Sequence, residues 1–342
     1  MMLRHLGAGL FSVMAASLPL TLSAQEVSQR ISPKAMVITM FAGEAKPWLE
    51  NERFTQKVAV PGLSKAFPEV SCTDAGLCLM TTSMGYANAA SSVSALLYSG
   101  RFDLSQTYFL IAGIAGVDPA DGTLGSAHWA RFAVDGGLQN VIDAREIPND
   151  WTTGYVAIGA SRPGEKVELK YGSEVYRLNE DLLQKAYTVT KDVELADGDA
   201  AKAYRARYAA APANAAPRVS ICDTVSMDTW WHGSKLGAAM EAWAKLITNG
   251  EANYCTTQQE DNATLTALRR GADANLLNFD RIAVLRAASN FDREGSSQTP
   301  VESLTAKSGG YIPSVTNAYR VGAKFAHTIV ADWQNWSVGV PK

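Results

Sequence analysis

Side chains that could take part in catalysis are spread thinly along this chain. Patterns typical of P-loops, serine hydrolases and zinc proteases are absent, and the four histidines do not cluster at the spacing of metal ligands. The run from Gly113 to Gly116 follows an apolar stretch and predicts a tight turn in which backbone amides could approach a ligand. It is too short for a dinucleotide fingerprint. We therefore predict neither a metal nor a cofactor.

Four cysteines could form two disulfide bonds. Cys72 and Cys78 flank a short loop that contains Asp and Gly, so a local bond between them is sterically easy. An oxidising compartment would then favour Cys222 with Cys255 as the second pair. Four cysteines allow three pairings, and four buried thiols are the alternative.

Apolar runs alternate with helical patterns along most of the chain. Runs that predict buried strands cover residues 35–41, 77–82, 107–112, 219–225 and 281–285. Helical patterns cover residues 87–98, 180–191, 200–209, 236–248, 260–270 and 315–330. This alternation predicts an α/β protein with a buried, largely parallel sheet. We interpret the Ala- and Pro-rich segment 210–217 as an insertion loop.

The first 24 residues have the layout of a secretory signal peptide. Arg4 supplies positive charge, residues 6–22 carry none, and small residues at Ser23 and Ala24 precede the expected cleavage. A membrane anchor is the alternative, although the apolar run is short and Pro19 interrupts it. We expect residues 25–342 to form a single domain that is periplasmic or secreted.

Composition narrows the class of protein further. The 342 residues include 31 Lys and Arg against 34 Asp and Glu, for a net charge of −3. This balance argues against a nucleic-acid-binding protein, which usually carries a basic excess. No stretch after the signal segment reaches the ~18 consecutive apolar residues of a membrane helix, so we expect no transmembrane span in the mature chain.

Several short segments form a pattern when taken in order. They read TSMGYANAA at 82–90, FLIAGIAGVDP at 109–119, MDTWWHGS at 227–234, EDNAT at 260–264 and LRAASNFD at 285–292. Together they resemble the purine nucleoside permease family, within the nucleoside phosphorylase superfamily. The resemblance implies a purine nucleoside as ligand. It also implies a three-layer α/β fold whose central mixed, largely parallel sheet is flanked by helices.

The resemblance assigns Trp230 and Trp231 to the segment that holds the base. Neighbours in an extended segment face opposite sides, so one indole can stack on a purine while the other packs inward. We predict that Trp230 stacks. Two core tryptophans are the alternative.

The resemblance also assigns residues to the sugar side of the ligand. Ser83, Gly85 and Gly113 would lie near the phosphate or ribose, and Glu260 and Asn262 match a ribose-binding helix start. A carboxylate can accept hydrogen bonds from both hydroxyls of a ribose diol, whereas Asn262 carries no charge. For Glu260, interaction with the helix dipole is the alternative.

Three residues are candidates for catalysis. Asn290 matches the base-side position and could donate to N7 and accept from N1–H, which favours inosine or guanosine over adenosine. Asp292 could supply a proton if its loop folds back. Glu44 is similar to the acidic residue that holds the attacking water in hydrolytic relatives. The alternatives are a turn-capping role for Asn290 and a solvated loop position for Glu44.

The basic residues near these segments bear on the reaction type. No arginine adjoins Gly43 or the turn at 113–116, and the nearest basic residues are Lys46 and Arg53. A phosphate dianion would rely on backbone amides and Ser83. We therefore expect hydrolysis of the N-glycosidic bond rather than phosphorolysis, with phosphate left open as a co-substrate.

Other functions stay open. The chain could be a non-catalytic nucleoside-binding component that works with a separate membrane transporter. A binding protein for another small aromatic ligand is a third reading. The sequence leaves a homo-oligomer open as well.

Overall fold

A computed structural model describes residues 30–342, so the predicted signal peptide, residues 1–24, lies outside the described residues. The strands are β1 (Ala35–Thr39), β2 (Gln56–Ala59), β3 (Glu69–Cys72), β4 (Leu77–Thr81), β5 (Tyr108–Val117), β6 (Ala127–Trp129), β7 (Phe132–Asp135), β8 (Gln139–Val141), β9 (Tyr155–Ala157), β10 (Val175–Arg177), β11 (Val219–Ile221), β12 (Asp223–Ser226), β13 (Tyr254–Gln258) and β14 (Ile282–Phe291). The helices are α1 (Ala42–Asn51), α2 (Tyr86–Tyr98), α3 (Glu180–Thr190), α4 (Asp199–Arg205), α5 (Ser234–Ile247), α6 (Asp261–Asp273), α7 (Pro300–Leu304), α8 (Tyr311–Ala331) and α9 (Trp333–Val338).

A mixed sheet of twelve strands forms the centre of the described chain. Nine of them follow the order β10-β7-β12-β13-β5-β1-β4-β3-β2, and β14, β6 and β11 form a branch. The sheet branches at β5, where β14 pairs parallel with β5 and antiparallel with β6. Strands β4, β1, β5 and β14 are parallel neighbours. Their carboxyl ends therefore meet at one edge of the sheet, which is where ligands bind in open α/β sheets.

Helices cover both faces of this sheet, and the central strand β1 is apolar on both sides. Met36 and Ile38 belong to a core that includes α2 and α6, whereas Ala35 and Val37 belong to a second core that includes α1, α3 and α8. Successive strand residues point to opposite faces, so one strand serves two cores. Burial of each large apolar side chain stabilises the fold by about 1.5–3 kcal/mol.

The strand β5 corrects one expectation. The tight turn predicted at residues 113–116 is wrong, because these residues continue the strand to Val117 and pair with β14. A Cβ atom on Gly113 would lie 2.5 Å from both the Glu44 Oε1 and Arg286 Nη1 atoms. The glycine leaves space for the side chains of Glu44 and Arg286, and the strand continues through it without a turn.

Two features of the described chain bear on its predicted location. Both predicted cysteine pairs are bonded: Cys72 with Cys78 between β3 and β4, and Cys222 with Cys255 between the start of β12 and β13. The alternative of four thiols is therefore wrong. Among residues 30–342, no helix combines the length and the hydrophobicity needed to cross a lipid bilayer.

Candidate functional site

A cavity of about 320 Å³ lies at the carboxyl edge of the parallel strands. It brings together four of the predicted residues from distant segments: Glu44, Trp230, Glu260 and Asn290. Its remaining lining residues are Met40, Phe41, Met84, Ile114, Ala115, Gln258, Gln259 and Ser289. Larger concavities of about 880 and 700 Å³ adjoin the β8–β9 hairpin, and neither contains any of these four residues. The smaller cavity is therefore the candidate site.

Glu44 lies in the first turn of α1 and is only 4% exposed, so its expected alternative as a solvated loop residue is wrong. The backbone N–H groups of Met40 and Ile114 each donate to its carboxylate at 2.7 Å. Burial raises its pKa from 4.5 to about 7, while the charge of Arg286 and these hydrogen bonds oppose the rise. Near neutral pH, Glu44 therefore exchanges between its acidic and basic forms.

Arg286 and Asp261 form a charged cluster with Glu44 and Glu260, and neither residue was predicted from the sequence. The Nε atom of Arg286 lies 3.2 Å from each Asp261 oxygen, and its Nη2 atom lies 2.5 Å from Oδ1. Nη2 is also 3.7 Å from Glu260. All three side chains are buried. A single arginine directly after the apolar residues 282–285 of β14 was the available signal, because a buried charge requires a partner.

Glu260 precedes α6 and faces the cavity. Its carboxylate accepts from the N–H groups of Gly85 at 3.1 Å and Gln259 at 3.3 Å. Burial raises the pKa of Glu260, and the charge of Arg286 partly offsets this effect. Gly85, itself a candidate site residue, therefore helps to hold the Glu260 carboxylate through a backbone hydrogen bond.

Asn262 lines the neighbouring concavity of about 700 Å³ and not this cavity, so its ribose contact stays a prediction that the site geometry does not support. Its side chain accepts from the Ser226 hydroxyl at 2.6 Å and donates to the Ser173 carbonyl at 2.8 Å. Successive helix residues are rotated by about 100°, so a residue two positions after Glu260 faces away from it. The amide is instead part of a buried polar network beside β12.

The two tryptophans occupy opposite sides of their segment, as predicted. Trp230 is half-buried at the cavity, and its ring lies 3.0 Å from the position that a Cβ of Gly116 would occupy. Trp231 is only 2% exposed and packs near Tyr254 in the core. Trp231, although it belongs to the same candidate segment, is therefore the indole that packs inward, and Trp230 is the one that presents a flat face to the cavity.

Asn290 is held in place by its sequence neighbours. Its Oδ1 accepts from the Ser289 hydroxyl at 2.8 Å, and its Nδ2 donates to the Phe291 carbonyl at 2.9 Å. The amide retains one donor and one acceptor position for a ligand.

The predicted proton donor Asp292 is placed elsewhere. Its side chain is fully buried, accepts from the Tyr254 hydroxyl at 2.5 Å and pairs with Arg293 at 2.8 Å. The condition for its role, a loop that folds back to the cavity, is not met in this structure, because the ion pair holds the carboxylate in the core.

The predicted small residues shape the site from behind. Gly85 donates its N–H to Glu260, and Gly113 leaves space for Glu44 and Arg286. Ser83 does not line the cavity; the next residue, Met84, does. None of Ser83, Gly85 and Gly113 lines the cavity, and the two glycines act on it indirectly through Glu260, Glu44 and Arg286.

The basic side chains near the cavity have their closest ion pairs with acidic residues that do not line it. The described residues that line it include no lysine or arginine. Arg286 lies behind them and is paired with Asp261. Lys46 is exposed on α1, 3.7 Å from Glu50. A dianion entering this cavity would meet two carboxyl groups, those of Glu44 and Glu260, before any available cation.

One group of potential metal ligands lies outside the cavity. His128, Cys222 and Cys255 are buried together, with the histidine Nδ1 atom 3.2 Å from the Cys222 sulfur. The sulfurs are joined in a disulfide, so neither is the thiolate that zinc requires. We assign no metal to this group.

Comparison with known families identifies a match along almost all of the described chain. The family model described as purine nucleoside permease matches residues 32–341. A probable purine nucleoside permease of Schizosaccharomyces pombe is 38% identical over 318 residues, covering 89% of this chain and 91% of that protein. A purine nucleoside permease of Candida albicans is 37% identical over 307 residues, covering 88% and 76%.

Solved structures share the fold at low sequence identity. The 5'-methylthioadenosine/S-adenosylhomocysteine nucleosidase of Neisseria meningitidis, solved with methylthio-immucillin-A, has a TM-score of 0.55 and 14% identity, and covers 87% of this chain and 99% of that chain. The futalosine hydrolase of Helicobacter pylori has a TM-score of 0.55 and 11% identity, with 86% and 98% covered. The expected nucleoside phosphorylase-like α/β fold is confirmed.

Proposed function

Because the chain belongs to the purine nucleoside permease family, we propose that it binds purine nucleosides in the 320 Å³ cavity and hydrolyses their N-glycosidic bond. The observation that carries this proposal is the convergence of Glu44, Trp230, Glu260 and Asn290 on one cavity from four separate segments. These residues supply a flat aromatic face, a hydrogen-bonding amide and two carboxyl groups. A nucleoside presents the complementary groups: a flat base, polar ring atoms and a ribose diol.

The base and the sugar would bind at different walls of the cavity. Trp230 offers a flat face on which the base can stack. Stacking of a base on an aromatic side chain contributes about 1–3 kcal/mol to binding in nucleic-acid complexes. Asn290 donates a hydrogen bond to the base, which stabilises the negative charge that bond cleavage leaves on a purine. Glu260 accepts from the ribose hydroxyls in charge-assisted bonds.

Glu44 is the general base in this proposal. Its carboxylate takes a proton from a water molecule as that water attacks the anomeric carbon, and the bond to the purine breaks. A general base works best when its pKa is near the operating pH, and the pKa of about 7 meets this condition. Ile114 and Met40 hold the carboxylate in one orientation through their N–H groups.

The charges at the site favour water over phosphate as the second substrate. The Glu44 and Glu260 carboxyl groups face the cavity, and Arg286 is bound to Asp261 behind them. A phosphate dianion would be repelled by the carboxylates and would find no available guanidinium for a bidentate contact. Water carries no charge and meets no such barrier.

A second candidate function follows because, among residues 30–342, neither candidate for the base side can supply a proton. Asn290 cannot protonate N7, and Asp292 is held in a buried ion pair. Slow cleavage would leave a nucleoside-binding protein that delivers its ligand to a separate membrane transporter, as the family's name suggests. The disulfides and the predicted signal peptide support a periplasmic or secreted location for either function.

The binding half of the proposal is tested by calorimetric titration with inosine. Glu260→Gln removes the charge that faces the ribose and should weaken binding about 10- to 100-fold, as expected for loss of a charged hydrogen bond. Glu251→Gln, an exposed acid paired with Arg177, is the matched control and should bind as the wild type does. Equal affinities in all three proteins, or no affinity for any purine nucleoside, would contradict the assigned site.

A further inference from the structure

Three buried carboxyl groups share one guanidinium beneath the cavity. Asp261 contacts the Nε–Nη2 edge of Arg286, and Glu260 lies 3.7 Å from Nη2. The remaining nitrogen, Nη1, donates to the Ile114 carbonyl at 3.1 Å. The Nη1 atom and the Glu44 Oε1 atom both lie 2.5 Å from the position that a Gly113 Cβ would take. Arg286 therefore stands between Asp261 and Glu44.

Asp261 differs from the other two acids in its contacts. Glu44 and Glu260 line the cavity and accept hydrogen bonds from backbone N–H groups, whereas Asp261 is fully buried and its side chain bonds to Arg286. It can act on Glu44 only through the arginine. We propose, on the basis of the proposed function, that Asp261 is a positioning residue that fixes the Arg286 guanidinium and neutralises it, so that Glu44 is free to act as a base at neutral pH.

The direction of the effect follows from the order of the charges. An unpaired Arg286 would stabilise the Glu44 anion and weaken it as a base, because an opposite charge within a few ångströms favours ionisation. Asp261 places a negative charge on the far edge of the same guanidinium. The net field at Glu44 is then smaller, and burial sets its ionisation.

Few other charges face Glu44. Arg286 approaches it from β14, and Glu260 from the start of α6. The Tyr311 hydroxyl of α8 packs against the first turn of α1, and Lys46 on the same helix points to solvent. Substitution of Asp261 therefore changes the largest charge interaction of Glu44 without touching Glu44 itself.

The test is a carboxyl ¹³C NMR titration of Glu44 in the full chain without nucleoside, with the resonance assigned by its loss in Glu44→Gln. Asp261→Asn keeps the shape of the side chain and removes its charge, so we expect the Glu44 pKa to fall by about one pH unit. The matched control is Asp197→Asn, which breaks a two-point pair with Arg205 that contacts neither Glu44 nor Arg286. It should leave the Glu44 pKa unchanged.

Two further outcomes decide the proposal. Asp261→Gln is a second variant for which we expect the same direction. An unchanged Glu44 pKa in a folded Asp261 variant would overturn the proposal, as would failure of both Asp261 variants to fold while Asp197→Asn folds, since Asp261 would then be only a structural anchor. Because the titration needs no substrate, a protein that binds but never cleaves nucleosides would refute hydrolysis without affecting this result. If hydrolysis is present, the acidic limb of its pH profile should move to lower pH by the same amount.

Discussion

Trp230 can occupy its position because the neighbouring residue in β5, Gly116, has no side chain. Its ring occupies the space next to Gly116, where any larger residue would push it away. The adjacent Trp231 is buried, so the two indoles differ in kind although they are neighbours in sequence. One is available to a ligand, and the other stabilises the core.

This difference makes a paired substitution informative. Trp230→Ala should weaken inosine binding about 5- to 150-fold and leave the fold intact, because the lost stacking is worth about 1–3 kcal/mol. Trp231→Ala should instead lower the free energy of unfolding by about 3–5 kcal/mol. Calorimetric titration and urea unfolding of both variants provide the measurements. Unchanged affinity in folded Trp230→Ala would remove the stacking role.

Asn290 permits a test of base preference. The amide can accept from N1–H of a 6-oxopurine, whereas a protonated Asp at this position can donate to N7. Asn290→Asp should therefore shift the ratio of inosine to adenosine affinity toward adenosine. Asn335→Asp, an exposed change on α9, is the control. The same ratio in the wild type and in folded Asn290→Asp would show that this residue does not read the base.

The pKa of Glu44 also predicts how stability depends on pH. An acid whose pKa is raised on folding binds its proton more tightly in the folded state, so the contribution of Glu44 to the unfolding free energy is highest below about pH 4.5 and falls as pH rises to about 7. This fall should be about 3 kcal/mol.

Urea unfolding of the wild type and of Glu44→Gln at several pH values isolates this effect. The difference in slope between the two proteins is the quantity to compare, because Gln alters the backbone hydrogen bonds at every pH. Parallel pH profiles would mean that Glu44 titrates in its ordinary range.

The strands and helices were predicted well where a single apolar pattern decided them. β1 and β4, and helices α2 and α5, fall within a few residues of the sequence prediction because periodicity and burial agree there. Helix α1 was missed, since Gly43 and Pro47 are unfavourable in helices and only packing against α8 compensates. The short strands β7 to β10 were missed because each has three or four residues and depends on its partners.

The candidate site shows the same division. Glu44, Trp230, Glu260 and Asn290 were predicted from sequence, and the structure places them in one cavity. The Arg286–Asp261 pair was not, because pairing across elements depends on which strand lies next to which helix. Asn262 lies at the neighbouring concavity because the helix turns its side chain away from Glu260. The turn predicted at residues 113–116 is wrong because Gly113 leaves space for side chains within a continuous strand.

The two disulfides should contribute differently to stability. In the chain-entropy model, the bond that closes the 6-residue separation between Cys72 and Cys78 is worth about 2 kcal/mol, and the bond across 33 residues between Cys222 and Cys255 about 4 kcal/mol. Paired Cys→Ala variants unfolded in urea measure each term. A larger loss for the Cys72–Cys78 pair would contradict this ranking.

The arrangement of the whole sheet explains why distant segments meet. Parallel β4, β1, β5 and β14 end at one edge, and β13 brings the start of α6 to the same place. Trp230 comes from the segment after β12, and the other residues that face the cavity follow these strands or lie near their ends. The fold itself is shared with nucleosidases, but at 11–14% identity it fixes only the framework. The chemistry must be tested on this chain.

The most direct measurement is the release of free hypoxanthine from inosine by purified protein, followed with and without inorganic phosphate. We predict release at the same rate in both conditions, loss of most activity in Glu44→Gln, and wild-type activity in Glu50→Gln, an exposed acid on the same helix. Release only when phosphate is present would contradict hydrolysis. Tight binding of inosine with no release in either condition would contradict catalysis and leave the binding function alone.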